Sequence, residues 1–386
     1  MKVLYITTSL SSKWGGPTTV VQGLSEALTK KGLEVSVLSP FKKDDEKNII
    51  RPKGVQVELF KENAFSIFWN GYSHKFRKNI FNRIDNFDLI HIHEIWHYPC
   101  FVSYLAAKNK EPYIITPHGT LDPWCLNYKS LKKRIFSFLI QKRILNKASA
   151  LHALTEKERE DIKKFGIGNY VKVIPNGIDI KEFENLPSRL ELENIYPQLK
   201  NKKVILFLGR LHPIKGLDIL ARAFGAIAEK RDDICLLFVG PNEDEYREKI
   251  ESILKKEKVI DKTIFTGSLS GRKRLAVLGG SDLFVLSSYS EGFSMAVLEA
   301  MACQLPVVIT RQCNFPEVAE NKAGFVIDPN EKELIIAINN LLKDVLLRKE
   351  MGENGRRLIL REFTWDKIAD KMIKLYQEVL SNQIEL

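Results

Sequence analysis

Cysteine is scarce in this chain of 386 residues. The five present, Cys100, Cys125, Cys235, Cys303 and Cys313, are odd in number and show no CxxC spacing. They indicate neither a disulfide framework nor a zinc cluster and are read as free thiols. Long apolar runs are also missing: none approaches the ~18 residues of a transmembrane helix. Residues 1–8 form a short strand-like run rather than a secretory leader, so the expected location is the cytoplasm, extending to the inner face of the membrane. Two nucleotide signatures are absent as well. Without GxGxxG a nicotinamide or flavin cofactor is not expected, and without GxxxxGK[ST] there is no P-loop.

What is present is an ordinary globular composition, 44% hydrophobic and 28% charged, in a length suited to two domains. The net charge of +11 is unevenly placed. Residues 1–180 hold 28 Lys and Arg against 17 Asp and Glu, whereas the remainder holds 31 of each. Such a basic half is read as meeting an anionic partner, a membrane surface, a phosphorylated lipid or a nucleic acid, with a plain solvated basic face as the alternative. Two stretches concentrate the charge. Residues 129–147 carry Lys129, Lys132, Lys133, Arg134, Lys142, Arg143 and Lys147 with no acid, and Leu131, Ile135, Phe138, Leu139, Ile144 and Leu145 can form the apolar face of a basic amphipathic helix. Residues 65–83 mix Phe65, Phe68, Trp69, Tyr72, Phe76 and Phe81 with Lys75, Arg77, Lys78 and Arg83, and are the preferred surface-seeking element.

Short runs rich in Val, Ile and Leu recur in two series. The first falls at 3–8, 34–39, 56–60, 89–93, 113–116, 151–154 and 171–174, the second at 204–208, 235–239, 263–266, 283–286, 306–309 and 325–327. Helical or loop stretches separate them, as a parallel sheet covered on both faces requires. Pro17 near its start and Gly32 just past its end frame the first helix. The predicted fold is therefore α/β, with two Rossmann-like, doubly wound sheets in residues 1–178 and 204–365. The polar stretch 179–203 is expected to link them, with a cleft between the halves. Ligands of such sheets gather outside the carboxyl ends of the strands, so the loops that follow strands hold the candidate residues.

In the first half, Gly15 and Gly16 stand just before a helix N-terminus, as an anion or sugar contact or as a plain turn. Residues 93–97 spell HExxH, the zinc-peptidase signature, which needs His93 and His97 one turn apart on a helix with Glu94 as base. A strand pattern precedes His93 and Pro99 follows, leaving little helix, so Glu94, Trp96 and His97 are read as acceptor-site candidates at a strand end. His118 ends the next strand, before Gly119. In the second half, Gly209 and Arg210 open a turn that closes with Lys215 and Gly216. Arg210 can fork two diphosphate oxygens and Lys215 adds a point charge. Gly240 and Leu269 lie at further strand ends, where backbone groups could take the edge of a base or simply turn. The stretch 289–303 sets two carboxylates, Glu291 and Glu299, about Gly292, Phe293, Ser294 and Met295 at the start of an apolar helix, a cradle for phosphate or sugar oxygen.

Together GRLHPIKG (209–216), EGFSMAVLEA (291–300), PNGID (175–179) and the Gly15-Gly16 loop resemble glycosyltransferase family 4, retaining enzymes of the GT-B fold. The resemblance spans nearly the whole chain. It implies a nucleoside-diphosphate sugar bound mainly by the second half, with no metal and no other cofactor, because cationic side chains and a helix dipole take magnesium's place. It implies diphosphate contacts from Arg210 and Lys215, a ribose contact from Glu299, and sugar contacts from Glu291 and the backbone of 292–294. It also implies base reading at Leu269, a reacting-sugar contact from His118, and a loop at Gly15-Gly16 that closes over phosphate or acceptor. The last helix, 366–386, is expected to cross back onto the first domain. The HEIWH and TPHGTLDPW segments are similar to those of a subgroup that assembles surface or extracellular polysaccharides. The expected reaction is transfer of a hexose, with glucose the first choice, from a UDP-sugar to a saccharide or lipid-linked saccharide. An anionic membrane is a candidate partner and nucleic acid is not. The rivals are a zinc peptidase, a basic nucleic-acid-binding module, and an epimerase or phosphorylase on the same scaffold.

Overall fold

The computed structural model describes residues 1–108, 110–123, 126, 140–243 and 245–381. Internal packing divides the chain into two units, Met1–Gly177 together with the segment that starts at Trp365, and Ile178–Thr364. Each is a parallel sheet flanked by helices. All thirteen anticipated strands form, with ends displaced by two residues at most.

The first unit contains β1 (Lys2–Ile6), β2 (Glu34–Phe41), β3 (Gln56–Lys61), β4 (Leu89–His93), β5 (Tyr113–Thr116), β6 (Ala150–Ala153) and β7 (Val171–Val173), in the order β3-β2-β1-β4-β5-β6-β7. All six pairings are parallel. Every side chain of β4, β5 and β6 is buried, the reason these strands read as near-continuous runs rather than alternating ones. The strand order reverses between β1 and β4, which opens a crevice at their carboxyl ends. Helix α1 (Gly16–Lys30) follows β1, with Pro17 in its first turn.

The C-terminal helix Trp365–Leu380 belongs to this unit and packs on α1. It buries Ile368, Ala369, Met372, Leu375, Tyr376 and Val379, a spacing of three and four that makes one apolar face. Each large side chain so buried contributes on the order of 1.5–3 kcal/mol. Trp365 covers two glycines. A Cβ on Gly23 would lie 2.1 Å from Trp365 Nε1, and one on Gly177 would lie 2.7 Å from its ring.

Tyr376 joins this helix to a buried chain of polar groups. Tyr5 OH is 2.8 Å from Tyr376 OH, which is 2.7 Å from His91 Nδ1. His91 Nε2 is 2.7 Å from Thr116 Oγ1, itself 2.8 Å from His152 Nδ1, and His152 Nε2 is 2.7 Å from the Ile174 carbonyl. A carbonyl only accepts, so His152 carries its proton on Nε2 and accepts from Thr116 on Nδ1. Thr116 in turn accepts from His91 Nε2–H, His91 accepts from Tyr376, and Tyr376 accepts from Tyr5. One carbonyl thus orients five side chains. The assignment requires neutral rings, and burial depresses both imidazole pKa values, His152 to about 4.

The second unit contains β8 (Lys203–Leu208), β9 (Ile234–Val239), β10 (Thr263–Phe265), β11 (Leu283–Leu286), β12 (Val307–Thr310) and β13 (Gly324–Ile327), all parallel, in the order β10-β9-β8-β11-β12-β13. Its switch point lies between β8 and β11. Residues 179–203 correct the expectation of a linker, because they fold into this unit as a turn at Ile180–Phe183 and a helix at Arg189–Ile195. Phe183, Leu192 and Leu199 join its core, and Arg189 donates to the Leu199 carbonyl at 3.1 Å. Three apolar anchors at irregular spacing within a polar stretch gave no period to read.

Of the basic stretch 129–147, residues 129–139 lie outside the described residues. The rest forms the helix Lys142–Asn146, whose Ile144 and Leu145 are buried in the first unit's core. Phe76 and Ile80 are buried likewise, while Phe65, Ile67 and Phe68 project from the preceding loop at 53%, 86% and 81% exposure. Cys100, Cys235, Cys303 and Cys313 are free and buried; Cys125 lies outside the described residues. Among the described residues no helix is long and apolar enough to cross a membrane.

Candidate active site

In the second unit, the loops that follow β8 and β11 are sewn together at the switch point. Tyr289 N donates to the Ile214 carbonyl at 2.7 Å, and Ser287 Oγ donates to the Gly216 carbonyl at 2.8 Å. Gly216 has φ +61°, and a Cβ there would lie 2.0 Å from the Ser287 carbonyl oxygen, so no other residue fits this crossing. The stitching brings Lys215 Nζ to 2.6 Å from Glu291 Oε1, with both side chains largely shielded from solvent. Ser288 Oγ donates to the same oxygen at 2.5 Å. Asn314 donates to the Glu291 carbonyl at 2.6 Å, and Glu291 N to the Gln312 carbonyl at 3.0 Å, which fixes the backbone of the carboxylate. Arg210 is more exposed and pairs with Glu243 at 2.7 Å.

The helix Met295–Ala302 starts where this loop ends. Its N-cap, Ser294, makes no side-chain cap bond, so its hydroxyl leaves the first N–H groups of the helix to other partners. Glu299 is buried in the same helix and paired with Arg274, which also holds Glu182 at 3.0 Å. Burial raises the Glu299 pKa and the guanidinium opposes the rise. Phe293 packs its ring against Phe315 and Phe363, with centroids 5.0 and 6.0 Å away, so only its backbone can serve a ligand. Gly209 and Gly240 bring two strand ends into contact: Gly209 N donates to the Val239 carbonyl and Gly240 N to the Gly267 carbonyl, both at 2.9 Å. The Gly240 N–H expected to meet a base is therefore already engaged. Leu269 is half-buried against the core.

In the first unit, three residues at the carboxyl ends of β4 and β5 hold positive φ without being glycine: Glu94 (70°), Trp96 (72°) and His118 (56°). Such conformations cost on the order of 1–3 kcal/mol each and persist where the surroundings over-determine them. Glu94 is buried and committed, accepting from Trp14 Nε1 at 2.6 Å and Thr8 N at 3.2 Å. It therefore ties Trp14 and Thr8 to the end of β4, beside the Gly15-Gly16 loop. Burial raises its pKa. Trp96 is half-buried, with Nε1 unpartnered, and His97 Nδ1 lies 3.4 Å from Asn70 Nδ2. His93 ends β4 and His97 precedes the helix Tyr98–Ala107, so the HExxH residues share no helix and the zinc-peptidase reading fails on backbone geometry. Among the described residues no group of three or more His, Cys, Asp and Glu could hold a metal.

His118 is half-buried, its Nε2 3.1 Å from His93 Nδ1, and burial pulls its pKa down to about 3. Gly15 and Gly16 are exposed at the start of α1, whose N-terminus has no side-chain cap.

Two family models match the chain in succession, one described as Glycosyltransferase Family 4 over residues 14–182 and one as Glycosyl transferases group 1 over residues 188–358. The chain belongs to glycosyltransferase family 4. It is 25% identical over 375 residues to an uncharacterised glycosyltransferase of Methanocaldococcus jannaschii, covering 94% of each chain. It is 24% identical over 383 residues to the phosphatidyl-myo-inositol mannosyltransferase of Mycobacterium leprae, covering 95% of this chain and 94% of that one. The structure of Anabaena HepE in complex with UDP-glucose superposes with a TM-score of 0.78 at 19% identity, over 98% of this chain and all of the other. The transferase thus has the GT-B fold.

Several partners of the transferase's candidate residues were not legible in sequence: Arg274 on Glu299, Glu243 on Arg210, and Ser288 and Asn314 on Glu291. Arg274 sits in a run of charged residues, Arg272 to Arg274, where its neighbours serve the surface. Only the packing of its helix beside Glu299 distinguishes it.

Proposed function

We propose that this family 4 glycosyltransferase moves a hexose, glucose or a close relative, from a UDP-sugar to a hydroxyl of a saccharide or lipid-linked saccharide, with retention of configuration, in polysaccharide assembly. The observation that carries the reading is the arrangement at the β8–β11 switch point. Lys215 is paired with Glu291 on a loop that runs into a helix N-terminus left uncapped by Ser294, Glu299 lies in that helix, and Arg210, paired with Glu243, follows the same strand as Lys215. Charge of that kind suits a diphosphate leaving group, and Glu291 and Glu299 suit sugar and ribose hydroxyls. The pairing of Lys215 with Glu291 and of Arg274 with Glu299 compensates these shielded charges.

In the proposed reaction the acceptor oxygen forms its bond to the anomeric carbon on the face from which the diphosphate oxygen departs, and a donor phosphate oxygen takes the acceptor's proton. Arg210, Lys215 and the helix dipole stabilise the departing charge without a metal. His118 is the candidate contact to the transferred sugar. The UDP-glucose complex of the Anabaena relative supports the donor choice. A panel of UDP- and GDP-sugars, run with and without chelator and with the product anomer read out, tests the whole reading. Turnover of UDP-glucose to an α-product, unaffected by chelator, is expected. An inverted anomer sinks retention, and turnover confined to GDP-mannose sinks the donor.

A further inference from the structure

Thr155-Glu156-Lys157-Glu158 opens the helix Glu156–Lys164 with the spacing of a capping box. Half of the box forms, since Thr155 Oγ1 accepts from Glu158 N at 3.1 Å. In a full box the glutamate would return to the N-cap's own N–H. Here it is turned elsewhere: Glu158 Oε2 accepts from Leu154 N at 2.7 Å, and Oε1 accepts from Gly119 N at 2.6 Å across to the neighbouring loop. The side chain is buried, with 4% of its surface exposed. A buried carboxylate is costly unless both oxygens are bonded, and these two N–H groups supply the bonds.

The loop it reaches is the one that carries His118. His118 and Gly119 are consecutive residues at positive φ, 56° and 74°, a conformation that relaxes unless held. Thr116, before them, is fixed by His91 and His152, and the His118 ring rests on His93. Within the loop Thr120 Oγ1 donates to the Pro117 carbonyl at 2.8 Å and Asp122 N to the Gly119 carbonyl at 3.2 Å, and Gly119 N is the handle that Glu158 takes from outside it.

We infer that Glu158 is a positioning residue that sets the His118 loop for sugar transfer through its bond to Gly119. The inference rests on the proposed role of His118. Because the carboxylate touches backbone alone, its loss alters where the imidazole points and leaves donor binding on the other unit intact.

The test compares wild type with E158A, E158Q, H118A and the double variant H118A/E158A, scoring kcat, donor KM and amide hydrogen exchange at Gly119 and Leu154. E158A is expected to lower kcat about tenfold with donor KM within twofold, and to speed exchange at both amides. E158Q, which keeps one acceptor oxygen and the volume, is expected to recover part of the loss and secures the test should E158A fold poorly. In the H118A background E158A should cost nothing further. Additive losses, or unchanged kcat in E158A and E158Q, overturn the inference. Wild-type turnover in H118A defeats the proposed role of His118 instead, and the clamp is then judged on the exchange at Gly119 alone.

Discussion

At the scale of single residues, the pairing of Lys215 with Glu291 is the detail from which most follows. A shielded cation 2.6 Å from a carboxylate is held in place before any ligand binds, so its electrostatic effect on a leaving group needs little reorganisation. K215A should lower kcat by about 10²–10³, equivalent to roughly 3–4 kcal/mol of transition-state stabilisation, and leave Glu291 buried without its partner. R210A should act less strongly, since Arg210 is 54% exposed and solvent screens it. Steady-state kinetics with UDP-glucose decide the matter, and equal small losses in both variants would dismiss the ranking. Sequence placed Arg210, Lys215 and Glu291 in the loops after β8 and β11, and Glu299 in the helix that follows, because β8 and β11 are strong apolar runs. Sequence left the partners hidden. Arg274, Glu243 and Asn314 lie 25, 33 and 23 positions from the residues they bind, and only tertiary packing brings them there. The same holds for Glu94. Its strand-end position was legible, whereas its commitment to Trp14 and Thr8 depended on where another loop came to rest.

At the scale of elements, the C-terminal helix is fastened to α1 at a point where glycine is indispensable. Gly23 lies mid-helix, where alanine would ordinarily gain about 0.5–1 kcal/mol. A Cβ there meets the Trp365 indole at 2.1 Å, so G23A should instead destabilise by about 1–3 kcal/mol and expose the last helix to proteolysis. A higher melting temperature for G23A would refute this docking. The helix and its return to the first domain were expected only from the family resemblance, and its seat on α1 had no signal in the sequence. A second element, the loop bearing Phe65, Ile67 and Phe68, precedes a helix whose exposed positions include Lys75, Arg77 and Lys78, with no acid between residues 64 and 83. Exposed aromatics beside unopposed cations suit an anionic bilayer. We propose this loop as the contact with membrane, and a triple F65S/I67S/F68S variant should lose sedimentation with vesicles containing anionic lipid while retaining turnover of a soluble acceptor. Equal binding of wild type and variant would remove the loop from consideration.

At the scale of the whole molecule, the buried ionisable groups predict how stability depends on pH. His91, His93, His118 and His152 all have pKa values lowered by burial, His152 to about 4 and His118 to about 3. Below the ordinary histidine value of about 6.5 the unfolded chain binds protons that the native rings refuse, so stability present above that pH is lost as pH falls. The buried carboxylates act in the opposite sense. Glu158, raised to about 7, and Glu94 and Glu299, also raised, take up protons in the native state before the unfolded chain does. Their stabilising effect is complete below the ordinary glutamate value of about 4.3 and disappears as pH rises through their native values. Between about pH 6.5 and 4.5 the two sets therefore oppose one another, and the melting temperature should decline gently. Below about pH 4.5 the carboxylates have nothing further to add while His91, His93 and His118 continue to withhold protons, at up to about 1.4 kcal/mol per pH unit for each ring, and His152 takes up its own near pH 4. The decline should steepen there. Calorimetric melting from pH 8 to 3.5 reads the curve directly, and substituting His152 with Gln should flatten the limb between about pH 6.5 and 4. A melting temperature that rises on acidification through pH 4.5, or an unchanged limb in that variant, would show that the imidazoles are not buried in their neutral form.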